Sequence, residues 1–158
     1  MLSTFLFTMN LIGCGDKETE TGEENADNAI AAEIWMELSD LDSWNQAAGW
    51  EGVVASGASH SGDYMQIWLN DLAYEAISSG AEIPDGGMIV KESSSDAAGT
   101  TVLNYTVMKK ITGYNPDAAD WFWVAYDSSG SINMAGAPDY CIGCHSSTED
   151  YLQFTHLD

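Results

Sequence analysis

Arginine is absent from this 158-residue chain, and lysine occurs only four times against 25 acidic residues, for a formal net charge of −21. Such a surface repels phosphate backbones and anionic headgroups, which argues against nucleic acid or an anionic lipid surface as a partner and leaves a basic protein as the expected charged partner. Solubility of an exported protein accounts for the same charge equally well. Cysteine is scarce too, at positions 14, 141 and 144 only. No internal repeat and no apolar run of membrane-spanning length is present. What remains is 45% hydrophobic, enough for one domain with a substantial core and too short for two. Six Trp, seven Tyr and four Phe are generous for this length. They suit the walling-in of a large flat apolar cofactor, though aromatic cores without cofactors are common.

Two of the three cysteines fall in Cys141-Ile142-Gly143-Cys144-His145. Two thiols three residues apart with an imidazole directly after them fit covalent attachment of a c-type haem, the thiols adding to the vinyl groups and His145 ligating the iron. Gly143, without a Cβ, lets backbone pass close to the ring. Two other readings use the same residues. A redox disulfide between Cys141 and Cys144 usually opens a helix in a βαβ unit rather than standing near a C-terminus. A zinc site needs a fourth ligand, and the gap from His145 to His156 does not match the usual paired-ligand spacing.

The first residues, MLSTFLFTMNLIGCG, form an apolar run ending in Leu11-Ile12-Gly13-Cys14. This resembles the lipobox of bacterial lipoproteins, with residues 1–13 a signal sequence and Cys14 the lipidated mature N-terminus, although no Lys or Arg precedes Cys14. The run is too short to span a bilayer as a helix, so membrane association is expected through the lipid alone. Lipidation of Cys14 and attachment of Cys141 and Cys144 to haem would leave no thiol over, which suits an oxidising compartment; the expected location is the cell envelope, lipid-anchored. Residues 14–28, rich in acids and without large apolar side chains from Asp16 onward, read as a solvated, flexible tether. The folded domain is expected over 29–158.

Within it, helical spacing over 29–38 (Ile30, Ile34, Leu38) predicts a first helix, and Leu41 to Trp50 a short second one carrying Trp44. Alternation predicts strands at 51–56 and 63–70, then a helix at 71–79. Further strands are expected at 88–92, 100–111 and 121–126, the last apolar on both faces and so central, with a closing helix at 147–154. Strands joined by short turns with helices at the ends predict an α+β fold, a mainly antiparallel sheet with flanking helices. In 88–93, Ile89, Lys91 and Ser93 share one face and Met88 and Val90 the other.

Several blocks carry a more specific signal: His60-Ser61-Gly62 before a strand, Asn70 with Ala73, IPDGGMIVKE, the VMKK strand, GYNP, DWFW and the late CIGCH. Together, over roughly residues 50 to 152, they resemble the cytochrome P-460 and cytochrome c′-beta haem domains. The resemblance implies a mainly antiparallel sheet with helices, often dimeric, with haem c carried by Cys141 and Cys144 and its iron bound by His145. It also places Lys91 where hydroxylamine-oxidising members tie a lysine to the haem edge. Read by itself, Lys91 is equally well an edge-strand charge or a member of a salt bridge. Counting back from Asp120-Trp121, the family's distal polar residue falls at or near Tyr105, a phenol where a carboxylate is usual, and a weaker base at neutral pH. Phe122 and Trp123 are candidate pocket walls. His60 and His156 are more often surface histidines than second axial ligands. Met88, Met108 and Met134 are as easily core filling as ligands.

The resemblance thus implies an open iron site taking a small nitrogen-containing molecule, with oxidation of hydroxylamine or reaction with nitric oxide, Lys91 and Tyr105 being the catalytic candidates. The alternative is a non-catalytic gas-binding or electron-transfer cytochrome.

Overall fold

A computed structural model describes residues 18–57 and 62–153. Among them lie helices α1 (Glu18–Glu37), α2 (Asp71–Ser79) and α3 (Asp139–His145), and strands β1 (Asn45–Gln46), β2 (Val54–Ala55), β3 (Tyr64–Leu69), β4 (Met88–Ser94), β5 (Val102–Lys110), β6 (Trp121–Asp127) and β7 (Ile132–Gly136). The strands form one sheet in the order β1-β3-β4-β5-β6-β7, with β2 also on β3. Every pairing is antiparallel. The architecture is α+β, as the alternation of the sequence predicts.

Each long strand sends alternate residues to opposite sides, and two cores result. On one side Trp68, Met88, Val90, Val107, Phe122, Val124 and Tyr126 pack beneath Ala31, Ile34 and Leu38. On the other, Met65, Ile67, Leu69, Ile89, Met108, Trp121 and Trp123 pack with Ala73 and Ala76 of α2 and with Leu152. The helix α2 is fixed through one side chain. Asn70 Oδ1 accepts from Ala73 N as an N-cap and from Met88 N, each at 3.0 Å, while its Nδ2 donates to Gly86 O at 2.9 Å. Helix start and strand start are thereby locked together. Gly80, at φ 68°, ends the helix in the left-handed region that favours glycine.

Three expectations need correction. Helical structure is already present at Glu18, the first described residue, ahead of the expected start near Ala29. The far end of the expected tether is tied down, since Tyr114 Oη donates to Asp27 Oδ1 at 2.9 Å. The expected helix around Trp44 is instead a 3₁₀ segment, Leu38–Ser43, that ends just before it. The closing helix at 147–154 is also absent. Asp150 and Tyr151 adopt positive φ, 46° and 62°, which confines helical structure there to a 3₁₀ turn at Glu149–Tyr151. Helical structure lies earlier, in the CIGCH motif itself.

Candidate functional site

The motif forms α3, entered through Pro138, whose φ of −72° suits a helix start. A helix places residues three and four apart on one face, so Cys141, Cys144 and His145 point the same way. They line a cavity of about 290 Å³ against the sheet. The opposite wall comes from β3, β4 and β5 through Met65, Ile67, Ile89, Lys91, Thr106 and Met108, and the ends from Trp50, Trp123, Met134 and the segment Tyr151–Gln153. Apart from Lys91, Thr106 and the motif, the walls are chiefly apolar and aromatic, as for sites that bury a large apolar ligand.

His145 is oriented from behind, its Nδ1 standing 2.8 Å from the carbonyl oxygen of Tyr151. A carbonyl only accepts, so Nδ1 is the donor, and Nε2 is the ring nitrogen on the side away from Tyr151. Metal-binding histidines are usually held in this way. Cys141 and Cys144 are both free thiols. Burial, with the neighbouring Cys144, pushes the Cys141 thiol up to about 11. A thiol protonated at neutral pH is a poor redox nucleophile, but it keeps a sulfur available for a thioether. Among the described residues no group of three or more His, Cys, Asp and Glu is arranged to hold a metal ion directly. The donor set therefore fits a covalently attached macrocycle that brings its own iron.

Lys91 reaches the same cavity, half-buried in the middle of the sheet. Its neighbours across the ladder are Ile67 on one side and Thr106 on the other, so β4 is not an edge and the edge-charge reading does not hold. Nζ stands 3.5 Å from Ser56 Oγ, a loose contact. Burial lowers its pKa to about 8, so a fraction of the amine is neutral near physiological pH.

Tyr105 is not brought to this cavity. It precedes Thr106 on β5 and faces the α1 side, its ring edge-on to Trp35 at 5.5 Å. Burial, followed by the charges of Glu92 and Asp42, raises its pKa. A phenol on the far face of the sheet and protonated at neutral pH is neither a distal donor nor a base for this site. The residue of β5 that faces the cavity is Thr106. Phe122 likewise belongs to the α1 side and Trp123 to the cavity, as do Met108 and Met134 but not Met88. Cys14, His60 and His156 lie outside the described residues. The walls supplied by Trp50, Met65 and Gln153 were not anticipated; for Met65 alternation along β3 was a usable signal.

The family model described as Cytochrome P460 matches residues 45–154, which include the whole cavity-lining set. Among curated proteins, none matches the chain.

Proposed function

This chain belongs to the cytochrome P460 family, which implies a c-type haem with its iron, and from that premise we propose that it binds a small uncharged nitrogen compound, nitric oxide foremost, at an open iron site. The observation that supports this is the convergence of Cys141, Cys144, His145 and Lys91 on one apolar cavity. Cys141 and Cys144 would hold the ring through thioethers, and His145 would bind the iron through Nε2. Haem bound there supplies a metal centre that takes a diatomic ligand and exchanges electrons. Met65, Ile67, Met108, Met134 and Trp123 exclude water and favour an uncharged ligand over an ion. Thr106 offers a hydroxyl that donates a hydrogen bond without acting as a base. Among the described residues lining the cavity there is no carboxylate.

Oxidation of hydroxylamine is the second reading, and the placement of Lys91 favours it. A lysine at the cavity wall with its pKa lowered to about 8 has neutral amine available at the ring edge, where a bond to a ring carbon would replace one N–H and one C–H and so would need a two-electron oxidant such as a peroxide. Such a link would shift the electronic levels of the ring.

The full chain, produced with a c-haem maturation system, separates these readings. One haem resistant to acid-acetone extraction is expected, and the double variant Cys141→Ser, Cys144→Ser should lose it. Retention of zinc with no haem would overturn the reading. An ordinary ferrous spectrum, a haem peptide containing CIGCH alone and tight nitric oxide binding without hydroxylamine turnover would select gas binding. A red-displaced band and a haem peptide that includes Lys91 would select oxidation, and Lys91→Ala should then abolish turnover while nitric oxide binding persists.

The sequence around Leu11-Ile12-Gly13-Cys14 supports anchoring to the cell envelope through a lipid on Cys14. No helix among the described residues is long and apolar enough to cross a membrane. Cys14→Ala should release the protein from membranes. Any charged redox partner should be basic, given a net charge of −21.

A further inference from the structure

Behind His145, away from the cavity, lies a buried cation. Lys110, the last residue of β5, is only 4% exposed. Its Nζ donates to Asp150 Oδ1 at 2.5 Å and to Ala119 O at 2.6 Å, and stands 4.5 Å from the centre of the Trp121 ring. Three ammonium protons thus have three destinations. Both segments it touches are left-handed at residues that carry a Cβ. Ala119 and Asp120 have φ of 53° and 60°, and Asp150 and Tyr151 have 46° and 62°. Backbone of this kind persists only where its surroundings hold it. A second tie comes from Trp121, whose Nε1 donates to Asp150 O at 3.0 Å. The very next carbonyl, that of Tyr151, is the one that accepts from His145 Nδ1.

We propose that Lys110 is a positioning residue for His145, acting through the Asp150–Tyr151 turn. The ammonium holds the Asp150 carboxylate, the carboxylate fixes the left-handed turn, and the turn aims the Tyr151 carbonyl at the imidazole. Asp150 Oδ2 is buried with no hydrogen-bond partner, so compensation of this anion falls on Lys110. Removing the cation would leave a largely covered carboxylate without its counter-ion, which relaxes by opening the turn towards water. The preceding residue serves as an internal control. Lys109 points to the other side of the sheet and pairs with Glu37 at 2.7 Å. What His145 binds rests on the haem reading above; how it is oriented does not.

The test compares Lys110→Met, which keeps length and removes charge, with Lys109→Met in the full chain. In the haem-loaded protein, Lys110→Met should move the ferrous iron–histidine stretch to lower frequency and raise the reduction potential, because an imidazole that loses its Nδ1–H···O bond is a weaker donor. Lys109→Met should leave both at wild-type values. In the unloaded full chain, ring ¹⁵N spectra should place the His145 proton on Nδ1 in wild type and shift it towards Nε2 in Lys110→Met. If Lys110→Met does not fold, Asp150→Asn decides, since Asn tolerates the left-handed turn and weakens only the charge pair; a smaller shift in the same direction is expected. A folded Lys110→Met or Asp150→Asn protein with wild-type tautomer, stretch and potential overturns the proposal, as does an equal shift in Lys109→Met. Absence of haem from the wild type would defeat the haem reading alone, because the ¹⁵N experiment still decides the positioning.

Discussion

The two sides of the sheet are covered by helices of very different kinds. On one, α1 is 20 residues long and buries Ala31 and Ile34 completely, over strand residues Met88, Val90, Val107, Phe122, Val124 and Tyr126 that are themselves sealed. Tyr126 Oη even reaches up to donate to Ala31 O at 2.5 Å. On the other, α3 has seven residues, no side-chain cap and not one buried side chain. A helix this short does not hold itself together, and one whose best-covered side chains, Cys141 and Ile142, are only partly buried gains little from packing. The side under α1 is closed by that helix, whereas beside α2 the side under α3 keeps a cavity of about 290 Å³.

The largest test of that contrast is a matched pair of truncations on adjoining strands. In the haem-free chain Phe122→Ala should cost about 3–5 kcal/mol, since it opens a void in a closed core. Met108→Ala on the cavity side should cost no more than about 2 kcal/mol, because it enlarges a space already open to solvent. Urea denaturation reads both, and equal costs would break the contrast. Gly130→Ala should follow at about 2 kcal/mol. Its φ is 90° and a Cβ there runs into the Trp35 indole beside α1. Next comes hydrogen exchange. Covalent haem should slow the amides of 141–146 at least about tenfold while those of 31–37 stay unchanged, an effect of about 1.4 kcal/mol on local opening. Equal protection of both helices would show that α3 is already held by the protein.

How much of this was legible depended on what each residue's signal averages over. The spacing of Cys141, Cys144 and His145 is local in sequence, and the structure brings all three to one cavity. The placement of Lys91 with Ile89, opposite Met88 and Val90, follows from strand parity alone, and the structure agrees. Tyr105 was reached by counting back from Asp120-Trp121 along the resemblance, and such a count is blind to which face of β5 a residue takes. Alternation along β5 puts Thr106, the ladder partner of Lys91, on the cavity face and Tyr105 on the other. The helix at 147–154 failed for a different reason. Nothing local marks Asp150 and Tyr151 for left-handed backbone; a lysine 40 residues earlier holds them there. The extension of α1 to Glu18 was hidden by an acidic composition that resembles a linker, and its anchor at Asp27 is a tyrosine far along the chain.

The finest test uses two adjacent residues on opposite faces of β4, both charged in the sequence and both disfavoured as ions by burial. Lys91, on the cavity side, has its pKa lowered to about 8 from an ordinary value near 10.5. The unfolded chain therefore binds more protons between about pH 8 and 10.5, and stability rises with pH across that window. Below it, both states are protonated and the burial cost is present in full. Lys91→Met should remove the rise and stabilise the haem-free chain at neutral pH by about 1–2 kcal/mol, a figure discounted for the partial exposure of the side chain. Glu92, on the α1 side, has its pKa raised by burial and by Asp42. Here the folded state holds its proton longer, so stability falls as pH rises from the ordinary carboxylate value to the folded one, and the loss is constant above that. Glu92→Gln should stabilise as well, but its pH dependence should lie wholly in the acid range. Denaturation midpoints from pH 4 to 10.5 for the two variants and the wild type would show two separate windows; coinciding windows would mean that the two faces of β4 do not present distinct environments.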